Sequence, residues 1–473
     1  MTRGTTNRAF NYAGVVVLGA SLACATPTES SNRGDVARIG GGKGTSQAER
    51  YYKRGVACMD EFERRDCAVE NLEQVVTLNP RDRTVLGDAI FRLIKLYRRT
   101  SDKDGVTRLM RQYWELGTRK KDASLRSYGT QFFPSDLTIL AVFDVERLRQ
   151  SEMMRWLDDD VLDYRFTCDE DRRRDIEYTA WLKANEDDPE ISAMDEAART
   201  TRFEEALAKR DGERSPDAGE DANESDEPKP RPLTDVACDT LAALGLNSLE
   251  QLDRVSFASR HDDPLRAAAS IEVSDLDAKI ATGVERGQLV LVNDMRWALV
   301  GDDPENPDAF VVRVDADELV VARAQVADEI EQARRAQRRT RKSPVIELAN
   351  EVPTDSCFYA VATGEVLRWG KAQGGGMAKL LPDPQGLVVA GAVYEHSGLF
   401  VRLHTGDKLR ASALVWLAQK VLASEPDGDD EQRGGGPPFM GEMDVAIAPN
   451  GSDVIFGVTM SPAQAAPMFA PQW

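Results

Sequence analysis

The sequence predicts an α+β protein in which N-terminal helical hairpins are followed by two duplicated α+β modules. Between residues 46 and 115 apolar side chains recur at the spacing that lines one face of a helix. Pro134–Arg149 and Pro353–Arg368 then match without a gap, 219 positions apart, with seven of sixteen residues identical. After each copy come short apolar runs bounded by turn residues, which read as antiparallel strands interrupted by helices.

The chain opens with Arg3 and Arg8 and no acid, continues with an uncharged apolar run from Ala13 to Ala23, and then reaches Cys24. That order is a secretion signal. The apolar run is shorter than the about 20 helical residues needed to cross a bilayer, so no permanent transmembrane helix is expected here. Ala20-Ser21-Leu22-Ala23-Cys24 resembles the lipobox of bacterial lipoproteins, with Ser21 standing where leucine is usual. The resemblance implies residues 1–23 as a signal peptide, a diacylglyceryl group on the Cys24 thiol, and lipid anchoring to a bacterial membrane. Three buried acyl chains, at about 0.8 kcal/mol per methylene, make such an anchor essentially permanent. Ordinary secretory cleavage is the alternative, since Ser21-x-Ala23 and Ala23-x-Ala25 also fit it. Ala25 stands in place of the aspartate that retains some lipoproteins at the inner membrane, which leans toward the outer one. Residues 24–47 follow as a flexible tether, rich in Ser, Thr and Gly, with a mean reach of about 25 Å.

From Ser46 to Pro80 the spacing predicts two short helices with a turn near Arg64-Arg65-Asp66. Tyr51, Gly55, Cys58 and Phe62 line the first, and Ala68, Leu72, Val75 and Val76 the second. This hairpin resembles a tetratricopeptide repeat, in which small residues such as Gly55 and Ala68 let two helices approach and Pro80 ends the second. The turn is one residue longer than the repeat pattern. Cys58 faces inward from the first helix and Cys67 opens the second, which makes them the candidate disulfide. A second pair, Thr84–Tyr97 and Lys103–Glu115, completes a helical domain over 48–130. The resemblance implies a groove that docks a peptide or protein, and a purely structural adaptor is the competing reading.

The two modules span 131–345 and 346–473. In the first, the copied strand and helix lead to a hairpin (Leu252–Ser259, Ala267–Val273), a helix from Ser274, and strands Leu289–Asn293, Arg296–Val300, Ala309–Val314 and Glu318–Ala322. A helix from Gln325 ends it. The second continues with Leu387–Tyr394, Leu399–His404, a helix Lys408–Ala423, strands Met443–Ala448 and Val454–Thr459, and a short helix after Pro462. Antiparallel hairpins backed by helices give a ferredoxin-like sandwich or something similar. The first module carries an insertion over 158–235: charged helices to Arg210, then a solvated linker Asp211–Arg231 with eight acids against three bases. Residues 424–438 form a loop in the second.

Composition narrows the function. Sixty basic against eighty acidic residues leave a net charge of -20, which repels nucleic acid and anionic headgroups. Beyond Cys24, the cysteines Cys58, Cys67, Cys168, Cys238 and Cys357 show no C-x-x-C spacing, so no zinc knuckle or redox pair is supported. Their odd number leaves a free thiol, for which Cys357, inside an apolar strand, is the candidate. Among the three histidines His261, His396 and His404, no two have metal-ligand spacing. His396 and His404 flank the turn of one predicted hairpin. Gly40–Thr45 lacks the Lys-Ser/Thr pair and preceding strand of a phosphate loop, and Gly374–Gly376 and Gly434–Gly436 lack the flanking strand and helix. Asp158-Asp159-Asp160 lacks the spacing of a calcium loop. Arg334–Lys342 places six cations in nine residues, with Glu331 able to pair with Arg335. It reads as an exposed helix end, or as a dock for an acidic surface. No catalytic set, cofactor or metal site is predicted. The expectation is a non-enzymatic envelope lipoprotein that binds another envelope protein. The alternative is a small-ligand binder or hydrolytic enzyme with its site between the two modules.

Overall fold

A computed structural model of the chain describes residues 46–460, apart from 61–63, 81, 119–128, 150–169, 187, 215–232, 247–250, 301–306, 308, 338–342, 354–355, 374–382, 394–396 and 424–443. Cys24, Cys168, His396, Asp158–Asp160, both triple-glycine segments and the helix after Pro462 lie outside the described residues.

Four helices come first: α1 (Gln47–Asp60), α2 (Arg65–Leu78), α3 (Arg83–Arg99) and α4 (Lys103–Thr118). Ala68, Leu72, Val75 and Val76 give α2 one buried stripe, and the chain leaves that helix through Asn79 in the left-handed region (φ 45°). Its N–H bonds the Val75 and Val76 carbonyls, satisfying groups that the helix end would otherwise orphan. Asp82 caps α3 by accepting from the Thr84 and Val85 N–H groups. A disulfide joins Cys58 to Cys67, their Cα atoms 5.9 Å apart across a sequence separation of 9. A short loop of this kind constrains the unfolded chain by about 2–3 kcal/mol.

The twelve strands among the described residues belong to one antiparallel sheet. They are β1 (Ile139–Asp144), β2 (Arg254–Arg260), β3 (Asp263–Glu272), β4 (Leu289–Asn293), β5 (Arg296–Leu299), β6 (Phe310–Arg313) and β7 (Glu318–Ala322), then β8 (Phe358–Thr363), β9 (Gly386–Val393), β10 (Ser397–His404), β11 (Asp444–Asn450) and β12 (Asp453–Met460). The order is β11-β12-β10-β9-β8-β1-β2-β3-β7-β6-β5-β4. The two halves meet where β1 pairs with β8, and Ala141 faces Ala360 at the centre of that pairing. Walking outward, Ala141 faces Phe257, then Ala269, Val321 and Val311 follow across β3, β7 and β6. Ala360 faces Val389, then Val401, Phe456 and Ile447 follow across β10, β12 and β11. Counted outward from the Ala141–Ala360 pair, the first five strands of each half follow the same order and register, and the first half adds β5 and β4 beyond them.

This arrangement corrects the ferredoxin-like expectation. In a split βαβ unit the strands joined by a helix are parallel with another strand between them, whereas β1 and β2 are antiparallel neighbours, as are β8 and β9. The period-2 pattern places a residue on one face or the other but leaves the order of strands open.

Helices cover both faces, because the sheet's side chains are apolar on both. One face receives α3 and α4 over β11 and β12, α11 (Ala324–Arg335) over β3, β6 and β7, and α12 (Pro344–Ala349) over β8 and β9. The other face receives α9 (Leu233–Ala243), α10 (Leu276–Glu285), α13 (Gly364–Gln373) and α14 (Lys408–Ala423). Helix α9 falls where the insertion was expected to end. Its Val236 and Leu241 are buried in the core of the first half, so the helix belongs to the sheet and not to the insertion. Short α5 (Val145–Arg149) follows β1. Of the insertion, α6 (Glu170–Ala184), α7 (Pro189–Ala193) and α8 (Glu196–Arg214) are described. Helix α8 runs to Arg214, so the linker starts four residues later than its composition suggested. Tyr178, Trp181 and Phe203 form a small aromatic cluster that joins α6 to α8.

The inner side of the helical hairpins is occupied by the chain's own sheet. Phe91 of α3 and Tyr113 of α4 meet Phe400 of β10 with ring centroids 5.1 and 4.2 Å away. Gly398 makes room for this contact, since a Cβ there would lie 2.5 Å from the Phe91 ring. Helices α3 and α4 thus roof the second half of the sheet, with α1 and α2 packed on them.

Candidate functional site

Two polar clusters lie at corresponding places in the two halves, on the face roofed by α3, α4, α11 and α12. Each is built on an acid that opens an otherwise apolar strand: Glu318 on β7 and Asp453 on β12. Glu318 faces Glu272 on β3, and Asp453 faces His404 on β10.

In the first half Glu318 is 3% exposed. It accepts hydrogen bonds from the Ser270 hydroxyl and, at 2.9 Å, from the Gly129 N–H. Burial pushes its pKa up to about 7, with these two bonds offsetting part of the effect. Gly129 lies in the 3-10 turn Gly129–Phe132 that leads into β1. The carboxyl therefore fastens this strap to the sheet. Nearby, Arg254 bridges Glu272 at 3.1 Å and Asp144 at 3.6 Å. Burial raises the Glu272 pKa, against the pull of Arg254.

In the second half the same strap position, just before β8, supplies Glu351. Arg402 donates to Asp453 at 2.6 and 2.8 Å and lies 3.0 Å from Glu351. The His404 ring lies between the two acids, with Nδ1 3.3 Å from Asp453 and Nε2 3.3 Å from Glu351. The latter contact is an ion pair without hydrogen-bond alignment. Burial alone would lower the His404 pKa, but the two acids outweigh it and lift the value to about 9. Burial acts on Asp453 in the opposite sense, yet His404 and Arg402 hold its pKa below the ordinary carboxylate value. At neutral pH the four side chains form a closed quartet of two cations and two anions.

His404 was expected beside the hairpin turn with His396. The register places it at the far end of β10, opposite Gly386 and Asp453. Its partner is an acid on the next strand, which strand periodicity alone does not reveal. His261 sits at the β2–β3 turn, where its backbone N–H donates to the Thr138 hydroxyl and its ring Nδ1 lies 3.2 Å from the same oxygen. Of the basic run, Glu331 pairs with Arg335 at 2.9 Å, and Arg334 donates to the Val314 carbonyl. Cys357 is a buried free thiol just before β8 rather than inside the strand, and Cys238 is disulfide-bonded. Glu318 and Asp453 belong to no motif that marks a site in the sequence. The signal available was an acid opening each apolar run, Glu-Leu-Val-Val-Ala and Asp-Val-Ile-Phe, in both halves.

These clusters can hold protons and fix straps, but each carboxylate already faces a donor or a cation. Among the described residues no group of three or more His, Cys, Asp or Glu side chains is arranged to hold a metal ion. Between the halves, β1 and β8 are hydrogen-bonded neighbours. No described helix is long and apolar enough to cross a membrane. No family model matches the chain, and neither a curated protein nor a solved structure is similar to it.

Proposed function

We propose that the protein is a non-enzymatic envelope lipoprotein, anchored through Cys24, whose helices and sheet hold a protein partner. The observation that carries this reading is where the chain has placed its polar and apolar groups. Its buried acids Glu318 and Asp453 are engaged by partners within the chain, while large apolar side chains face outward. Val290, Leu291 and Val292 at the end of the sheet are 53%, 59% and 52% exposed, and Leu409 on α14 is 82% exposed. Reactive sites need the reverse, polar groups converging on an accessible hollow, whereas surfaces of this kind mark contacts with other macromolecules. The matched strand order and register support descent of the two halves from one duplicated module. The tetratricopeptide-like hairpins act in this reading as a structural roof, stapled by Cys58 and Cys67.

The test is affinity capture of the lipidated protein from its own envelope, with a Cys24→Ala variant as control and mass spectrometry of the mature N-terminus. The expected outcome is an acylated Cys24 and a protein enriched over the control. An unmodified N-terminus overturns the anchor. Capture no richer than the control overturns the binding role.

A further inference from the structure

The strap Gly129–Phe132 lies over the acid that fastens it. Gly129, Thr130 and Phe132 are buried, and a Cβ on Gly129 would lie 3.1 Å from Val320 as well as against Ser270 and Glu318. Beneath the strap, Glu318 of β7 is paired in register with Glu272 of β3. Acids placed opposite each other on paired strands repel when both are charged. The same row continues through Arg254 on β2 to Asp144 on β1, and Arg254 bridges Glu272 and Asp144. Asp317 adjoins the row from the chain before β7 and acts on Glu272. From α11, Arg334 donates to the Val314 carbonyl and lies 5.9 Å from the Phe132 ring.

We infer that this strap is a proton-controlled latch: it stays closed while Glu318 carries a proton and opens, within the folded protein, when Glu318 releases it. The closed strap suits the protonated acid at each atom. Glu318 Oε2 accepts from the Gly129 N–H at 2.9 Å. Oε1 can donate its proton to the Ser270 hydroxyl, because that hydroxyl has a second acceptor of its own, the Leu319 carbonyl 3.4 Å away. The ionised acid keeps the Gly129 bond but sets a second negative charge opposite Glu272, in a position that is 3% exposed. Lifting the strap returns that carboxylate to water, and the cost of holding it buried drives the opening. Burial is also the largest influence on Glu318, raising its pKa from 4.5 to about 7. The closed strap is therefore favoured in full below pH 4.5 and loses that advantage as pH rises to about 7. Opening uncovers Ser270 and Val320, both fully buried when the strap is closed.

The experiment is amide hydrogen exchange on the full chain carrying Cys24→Ala, read by mass spectrometry on peptides covering the strap and β1, with each rate corrected for intrinsic exchange at its pH. The strap amides are expected to exchange faster than those of β1, as a local opening requires. Their protection is expected to fall by up to about 300-fold between pH 4.5 and 7 and then level off, the factor that the raised Glu318 pKa allows. Glu318→Gln keeps an acceptor for the Gly129 N–H and is expected to hold the strap closed across this range. Glu272→Gln leaves the Glu318 carboxyl in place but removes the charge opposite it, so the fall should become smaller and end at a lower pH. Strap protection that does not change with pH in the wild type overturns the inference, as does a fall that persists unchanged in Glu318→Gln. A strap that exchanges no faster than β1 also overturns it, because the strap then opens only with the whole sheet.

Discussion

The two halves of the sheet face the same task and complete it with different chemistry. Each must fasten the strap that precedes its central strand, Gly129–Phe132 before β1 and Glu351 before β8, to the acid opening an outer strand. The first half uses a buried carboxyl bonded to a hydroxyl and a backbone N–H. The second uses an arginine and a histidine between two acids. An isolated buried carboxyl avoids the cost of desolvating a charge by keeping its proton, which is why Glu318 titrates near 7. The quartet keeps all its charges by matching them. The first device is therefore tolerant of an uncharged substitute, and the second is not.

The largest difference is expected on removing the acid. In Asp453→Ala, Arg402 and His404 keep only Glu351 between them, with Arg402 19% exposed. Breaking a buried pair in this way costs about 3–5 kcal/mol. In Glu318→Gln the amide keeps a partner for Ser270, and the cost at neutral pH is small. Denaturant unfolding of both variants at pH 7 decides the matter. If Glu318→Gln costs as much as Asp453→Ala, the two halves are fastened by equivalent means and the contrast is wrong.

What was legible in the sequence divides along the same lines. Helices α1 to α4 and most strands follow from local pattern, because a 3.6 or 2 period is a property of neighbouring residues. The match of Pro134–Arg149 with Pro353–Arg368 pointed to the strands that meet at the centre, β1 and β8. It did not say that they pair with each other, because backbone hydrogen bonds between distant strands leave no trace in side-chain period. Glu318 and Asp453 escaped for a related reason. Their partners come from other strands and straps, and an acid at a strand start looks like any solvated turn residue. His404 was singled out for its residue type, yet its neighbours depend on the register. Arg335 was readable because its partner Glu331 is one helical turn away.

The next effect is a pH dependence that separates the halves. Glu318 has a folded pKa raised from 4.5 to about 7, so its contribution is whole below pH 4.5 and is lost as pH rises through about 7. His404, raised from 6.5 to about 9, loses its contribution at higher pH, between those two values. Asp453, whose pKa is lowered, contributes above 3.8 and loses that contribution as pH falls through its folded value. Unfolding free energies measured from pH 4.5 to 7 should fall by about 2–3 kcal/mol in the wild type. In Glu318→Gln that decline should flatten, while the decline toward pH 9 persists. A variant that keeps the lower decline unchanged assigns it to another group.

The smallest effect tests the strap of the first half on its own. A Cβ on Gly129 would lie 2.4 Å from the Ser270 hydroxyl and 2.9 Å from a Glu318 oxygen. Gly129→Ala must therefore push apart the two groups that fasten the strap, and overpacking of this degree costs about 1–3 kcal/mol. Ser270→Ala removes the nearest obstacle, and of the two that remain the Glu318 oxygen is the end of a side chain that can rotate and the Val320 methyl lies at 3.1 Å. The double variant should then be less destabilised than the two single changes added together, by about 0.5–1 kcal/mol. The corresponding test in the second half has no such clash to relieve, since its strap is held by side chains and not by a backbone N–H. Strict additivity of Gly129→Ala and Ser270→Ala would mean that the strap does not press on the Ser270–Glu318 pair, and the proposed fastening of β1 through Gly129 would fail.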